Sequence, residues 1–357
     1  LHRASVVKNE KVGDIMRAFI LMESASFLVC RFLRPESIAK LLSLCALAFS
    51  SLTWAQSQDT YPNQAIRLIV AFSPGTSSDA LARMLSQGLA QELGQPVVVE
   101  NRPGAGGIVG TEFVASSAPD GYTLTLATTS TMMTSPMLNS NAKYSAEKNF
   151  SGVIGLAKSH FIIATRNDPT YPQTLQELVQ RLKKGNGSYA SSGVATVIHL
   201  TASLFIDAAG VTATHVPYPG SGQALTDVAA GHVLFSSETN AATIPLTKSG
   251  KIKALAVTSA QRSPAIPEVP TVRESGYPDF VVSSWFGLMA PKGTPAPVLQ
   301  KLANATRKVM STPKMIESLQ SLAFDPLDLS LGDFDQFIAK EAPFWADTLK
   351  RANLKAE

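Results

Sequence analysis

Two apolar runs in this chain each end in a glycine-rich turn and then enter a stretch of helical periodicity. The first closes on Phe72-Ser-Pro-Gly-Thr-Ser-Ser-Asp79, the second is Val97-Val-Val-Glu-Asn-Arg-Pro-Gly-Ala-Gly-Gly-Ile-Val-Gly110. A buried strand that turns sharply into a helix fixes an α/β architecture with parallel strands and right-handed crossovers. It also leaves the first amides of each helix without intrahelical acceptors, which is a setting for an anion. No nucleophile, base or metal-ligand cluster accompanies either turn, so the pattern points to binding a carboxylate-like solute rather than to chemistry on it.

The N-terminal 55 residues read as a leader and stand outside the fold. Arg31, Arg34 and Lys40 precede an apolar stretch, Leu41 to Leu52, that is too short to span a bilayer as a helix. Thr53-Trp54-Ala55 offers a cleavage site, with Gln56 as the mature start. An N-terminal anchor is the other reading, and the short apolar length argues against it. Residues 1–30 suit a leader poorly and are taken as a mis-called start, with Met16 or Met22 as initiator. Cys45 follows Leu44, which is not the small residue that a lipid attachment site requires.

Both cysteines, Cys30 and Cys45, fall in this leader, so the mature chain has no internal disulfide. A cysteine-free exported protein suits an oxidising periplasm. Residues 1–55 also carry seven Lys/Arg and four Asp/Glu, three of the four net positive charges of the 357-residue chain. The mature part is close to neutral and has no clustered basic face of the kind that nucleic acid requires.

Along the mature chain the periodicity alternates. Strands are expected at 66–72, 97–100 and 123–128, with helices at 79–93 and 108–118 between them. Gly94 suits the end of the first helix. A second set follows: strands at 161–165, 189–193, 214–218, 233–236 and 254–258, with helices at 175–183, 197–209 and 224–230. Residues 262–278 are proline-rich and irregular. After a strand at 285–290, helices are expected at 297–310, 313–322 and 334–352. These last helices lack a sheet of their own and are expected to return to the first module. The expected arrangement is one lobe of residues 56–160 and 285–357, a second of 161–284, and a ligand cleft between them at the strand C-termini.

At these residues the chain resembles the Bug-type, or tripartite tricarboxylate transporter, substrate-binding proteins. The resemblance rests on residues 66–79, Leu93–Gly107, Pro119-Asp-Gly-Tyr-Thr123, Ala190-Ser-Ser-Gly193 and His215-Val-Pro-Tyr-Pro-Gly220. It continues through Gly250–Thr258, Pro267–Val272, Trp285–Pro291 and Gly293-Thr-Pro295. It covers nearly all of residues 61–350, and the joint order of the fragments makes it specific.

The resemblance implies a type II periplasmic binding-protein fold, two α/β lobes closing on a ligand, in a periplasmic monomer. It implies capture of a small carboxylate and its delivery to a membrane permease of the tripartite tricarboxylate type, with no cofactor, metal or nucleic acid. Carried over residue by residue, the first-lobe contacts are Phe72, Gly75, Thr76, Ser77, Ser78 and Asp79 with Thr128, Thr129 and Ser130. The second-lobe contacts are Ser191, Ser192, Gly193, Thr196 and His199 with Tyr218, Gly220 and Ser221. The chain departs from the family pattern at Thr76, where a glycine is usual, at Leu234, where an aspartate is usual, and through Phe235-Ser-Ser-Glu-Thr-Asn240.

Competing readings are weaker. The glycines from 104 to 110 fail the dinucleotide pattern because position 109 is Val109, and packing is the expected role of those glycines. Gly220-Ser221-Gly222 is not a nucleophile elbow, and a hydrolase has no evident base beyond a tertiary pairing of Ser192 with His199. A ligand sensor for a signalling partner uses the same fold and stays open. Asp79 is read equally as a helix cap or a ligand contact, Tyr218 equally as cleft wall or lobe edge, and Trp285 as core, with cleft lining the alternative.

Overall fold

The computed structural model describes residues 61–351; the leader reading lies outside the described residues. The first module runs β1 (Ile66–Val70), α1 (Ser77–Leu93), β2 (Val97–Asn101), α2 (Ile108–Ala115) and β3 (Thr123–Thr128). β1 pairs with β2 and with β3, both in parallel, as the alternation predicts. In α1 the periodic residues Leu81, Leu85, Leu89 and Leu93 are buried, and Gly94 ends the helix in the left-handed conformation at φ 70°. The helix starts at Ser77 rather than Asp79. Its cap is Thr76, whose hydroxyl accepts the Asp79 amide at 3.3 Å.

After the short helices α3 (Ser135–Leu138) and α4 (Ala146–Asn149) comes β4 (Phe150–Arg166), a single strand of 17 residues. Only its last part, 161–165, is legible as a strand in the sequence. Its two halves belong to different neighbourhoods. Residues Phe150–His160 pair antiparallel with β9 (Ser283–Pro291), and the same half pairs with β10 (Asp325–Ser330). Residues 161–166 pair with β7 (Phe235–Thr239) on one side and β8 (Ile252–Val257) on the other.

The second module adds α5 (Leu175–Lys183), β5 (Ser188–Ser191), α6 (Val197–Ala208), β6 (Thr214–Pro217), α7 (Ser221–Ala230) and α8 (Asn240–Lys248). β5 lies parallel to β6 and β7. The hydrogen-bonded order is β2-β1-β3-β9-β4-β7-β5-β6, with β8 and β10 also on β4. The helix α8 and the strand β10 are not anticipated from periodicity. Helix α8 carries Pro245 inside it, and β10 is largely exposed, so neither shows a clean pattern.

The C-terminal helices are α9 (Ala296–Met310), α10 (Pro313–Ser321) and α11 (Gly332–Arg351). α9 and α10 pack on the first module: Leu302, Val309, Met315 and Leu319 share a core with Leu81, Leu85 and Leu89. At Gly88 an added Cβ would stand 2.4 Å from a methyl of Val309, so only glycine admits this helix contact. α11 lies against the strands that join the two modules. Phe334 is fully buried there, edge-on to Trp285 at 5.5 Å. Its ring sits where Cβ atoms on Gly152, Gly155 and Gly287 would otherwise be, at 2.9, 3.0 and 2.2 Å. Among the described residues no helix is long and apolar enough to cross a membrane.

Phe334 therefore fills a slot cut by three glycines in two strands. Replacing it by Ala is expected to cost about 3–5 kcal/mol, since the strands cannot collapse into the void. Urea unfolding of F334A against wild type checks this, and a loss below about 1 kcal/mol would contradict it.

Candidate ligand site

Three helices begin at one place. Thr76–Ser78 at the start of α1, Thr196–Ile198 at the start of α6 and Ser221 at the start of α7 line a single inner cavity of about 30 Å³. Phe72, Thr128, Ser130, Phe161, Ser192, Thr239, Ser284 and Phe286 complete its wall. The first amides of a helix have no acceptor within it, and the helix dipole adds partial positive charge there. The cavity thus combines three such ends with ten Ser and Thr residues in its wall. An outer cavity of about 840 Å³ adjoins it, sharing Phe72 and Ser192. Its wall is formed by 103–108, 193–195, Leu138, Asn139, His199, Tyr218 and Pro219, with Ala71. Among the described residues lining the two cavities there is no Lys, Arg, Asp or Glu.

The two modules touch across this site. Ser130 Oγ accepts the Val197 amide at 3.0 Å, Thr134 donates to the Ala195 carbonyl at 2.7 Å, and Ser73 donates to the Pro219 carbonyl at 3.0 Å. Ser77 and Thr239 join hydroxyl to hydroxyl. The 104–107 turn approaches 193–195 so closely that a Cβ on Gly106 would lie 2.7 Å from the Val194 carbonyl. Gly106 also holds φ 64°, where an L side chain is strained.

Of the expected site residues, Phe72, Thr76, Ser77, Ser78, Thr128, Ser130, Ser192, Thr196 and Ser221 line the inner cavity. Gly193, His199 and Tyr218 line the outer one. Five stand behind the wall. Asp79 is turned away, held by Arg83 through two contacts of 2.9 and 3.0 Å, by Asn101 and by the Gly75 amide. Burial works to raise its pKa, but these bonds outweigh it and the carboxyl is held below its ordinary range. Asp79 therefore acts at the cap of α1. Gly75 supplies that amide at φ 83°. Thr129 accepts the Trp285 amide at 2.9 Å. Ser191 bonds to His215 at 2.7 Å, and Gly220 precedes α7 while packing on Ser73.

Several lining residues were not expected. Phe161, Ser284 and Phe286 reach the cavity because β4 and β9 pass beneath it, and Thr239 does so at the end of β7. The 103–107 glycine turn, assigned to packing in the sequence, both packs and forms a wall. Arg102 stacks on Phe113 at 3.7 Å, Arg166 bonds to the Ala230 carbonyl and Lys158 lies over Phe337, so none of these cations lines either cavity.

His199 and His215 are stacked face to face, centroids 3.9 Å apart, with Tyr189 against both. Burial lowers both pKa values to about 4, and for His199 the neighbouring His215 adds to the effect. His199 receives the Ala195 amide at Nδ1 and makes no hydrogen bond to Ser192.

A strand-end cleft between two α/β lobes, walled by helix N-termini, defines a type II periplasmic binding protein. Comparison with known proteins agrees. Residues 81–354 match the family described as the tripartite tricarboxylate transporter family receptor, and the chain belongs to that family. Protein BugT of Bordetella pertussis is 34% identical over 312 residues, covering 87% of this chain and 95% of BugT. Among solved structures, Rpa4515 of R. palustris with adipate superposes with a TM-score of 0.80 at 28% identity, over 83% of this chain and 99% of that one. MatC from Rhodopseudomonas palustris with bound malate gives 0.76 at 30% identity, over 81% and 100%. The family is one of periplasmic solute-binding receptors.

The histidine stack sets a pH dependence of stability. Both folded pKa values lie below the ordinary 6.5, so the unfolded chain binds more protons between about 6.5 and 4. The stabilising contribution is present above 6.5 and is lost as pH falls toward 4. Thermal midpoints of wild type should drop across this window, and the drop should flatten in His199→Phe/His215→Phe, which keeps a ring stack. Equal slopes in the two proteins would show that other groups set it.

Proposed function

We propose that this protein is a monomeric solute-binding receptor that captures a small carboxylate and presents it to a membrane permease of the tripartite tricarboxylate type. The observation that carries this reading is the convergence of three helix N-termini on one cavity that has no charged side chain in its wall. Such a wall suits an anion held by amides and hydroxyls, with small residues letting the backbone come close. The adipate and malate in the two similar structures support the same class of solute. In this reading the carboxylate enters the inner cavity. The rest of the solute extends past Phe72 and Ser192 into the outer one, whose 840 Å³ lies within the usual range for small-molecule sites.

The lobes are residues 61–160 with 285–351, and 161–284. The change of partners along β4 between His160 and Phe161 supports the first boundary. Closure of the lobes on the solute is a shift of population, driven by tighter binding to the closed form, and the closed shape is what the permease reads. The leader of residues 1–55, cleaved near Ala55, directs the chain to the periplasm. An enzyme reading is not supported: His199 is bonded to an amide and stacked on a second ring, not set against a nucleophile.

A thermal-shift screen of residues 56–357 against mono-, di- and tricarboxylates, acidic amino acids and aromatic carboxylates tests the proposal. A solute at about 100 times its Kd adds about 2.7 kcal/mol and raises the midpoint, and a folded protein with no shift across the panel would overturn the carboxylate reading. Two variants test closure. Ser130→Ala removes the acceptor for the Val197 amide and is expected to weaken binding about five- to tenfold, the worth of one hydrogen bond. Gly106→Ala meets the Val194 carbonyl and is expected to weaken it more than S130A, because the lobes cannot close fully. Calorimetric titration with the best solute measures both, and unchanged affinity in both would remove the closure argument.

A further inference from the structure

β7 ends in Phe235-Ser-Ser-Glu-Thr239 and leads directly into α8, and this stretch concentrates polar atoms that the fold leaves without partners. Ser236 Oγ, Ser237 Oγ, Glu238 Oε1, Asn240 Oδ1 and Thr243 Oγ1 are all buried and have no hydrogen-bond partner among the described residues. Glu238 is the most costly of them, a carboxyl with no solvent exposure and no cation bonded to it among the described residues. Its other oxygen, Oε2, accepts the hydroxyl of Ser221 at 2.8 Å. Ser192 also faces this carboxyl, through both its amide and its hydroxyl, although neither closes a full bond on Oε1.

Ser221 and Ser192 both line the inner cavity. A hydroxyl has one hydrogen to give and two lone pairs to offer. When Ser221 gives its hydrogen to Glu238, only its lone pairs remain for the cavity. At this point the wall is an acceptor, opposite in sense to the helix-end amides of α1 and α6.

We infer that Glu238 is a specificity-determining residue: by holding the Ser221 hydroxyl as an acceptor, it selects carboxylates that also carry a hydrogen-bond donor, an ammonium or hydroxyl group, over plain carboxylates of the same length. Glu238 acts through Ser221 and is a positioning residue for it. A solute that has only carboxylate oxygens brings a second acceptor to Ser221 and a second negative charge near a buried acid, and both are unfavourable. A donor on the solute satisfies the lone pair and eases the charge. Burial, the largest influence, raises the Glu238 pKa to about 7, with the Ser221 bond opposing it, so the ionised form is well populated above neutrality. This inference rests on the carboxylate-receptor reading.

The test is calorimetric titration of the mature protein at pH 8 with matched pairs: malate against succinate, aspartate against succinate, and glutamate against glutarate. Wild type is expected to bind a donor-bearing member at least tenfold more tightly than its plain partner. Glu238→Met keeps the side-chain length, removes both oxygens and frees the Ser221 hydrogen for the cavity. In E238M the preference is expected to shrink at least fivefold because the plain member binds more tightly. In Ser221→Ala it is expected to shrink because the donor-bearing member binds more weakly. A role confined to folding would change both members of a pair by the same factor in each variant.

Wild-type affinities within twofold for every pair would overturn the inference while leaving the receptor reading intact, as would equal shifts of both members in the variants. Binding of no member of any pair, alongside a flat carboxylate screen, would overturn the receptor reading and this inference with it.

Discussion

The rest of the structure depends on one strand. β4 is the centre of two neighbourhoods at once, paired with β9 and β10 along its first half and with β7 and β8 along its second. A strand hydrogen-bonded on both sides along its length ties both neighbourhoods to one continuous backbone. Phe334 reinforces this tie, seated in the slot that Gly152, Gly155 and Gly287 leave open in β4 and β9. Cores pack at crystal-like density, and such a slot fits one ring and little else. The cleft floor at Phe161, Ser284 and Phe286 is part of the same two strands. The parts that anchor the modules thus also set the depth of the site.

The electrostatics of the cleft follow from what is kept out of it. Asp79 is satisfied by Arg83, Asn101 and the Gly75 amide, and the cations of the neighbourhood are engaged elsewhere. The wall is left to backbone amides and hydroxyls, which carry no formal charge to desolvate when a solute is buried against them. That limits the desolvation cost of a buried wall, because burying an unpaired ion is far more costly than burying a hydrogen-bonded amide. Glu238 is the exception, and it stands one layer behind the wall, where its effect is to turn Ser221. The histidine pair is the other buried titratable group near the cleft. It is kept neutral by burial, with His215 adding to the effect on His199, and is a packing element rather than a source of charge.

Elements with one buried face were legible before folding. α1 shows its stripe at Leu81, Leu85, Leu89 and Leu93, and Gly94 marks its end because glycine takes the left-handed conformation without strain. The first half of β4 was missed because it is buried on both faces and broken by Gly152 and Gly155, which lower strand propensity. Those glycines are explained by Phe334, nearly two hundred residues away. The cap of α1 was displaced by three residues. Thr76, Ser77, Ser78 and Asp79 are all good capping types, and backbone geometry chose Thr76.

The sequence by itself determined that each module is α/β, that glycine-rich turns deliver helix N-termini to strand ends, and that no charged cluster accompanies them. Those are local properties, set by periodicity, capping and the conformational freedom of glycine. Tertiary structure alone decided which of the hydroxyls face one another, that Asp79, Thr129 and Ser191 stand behind the wall, and that Glu238 reaches Ser221. A side chain's partner across 17 residues of helix and strand depends on register and packing angle, and neither is written in any local window of the chain.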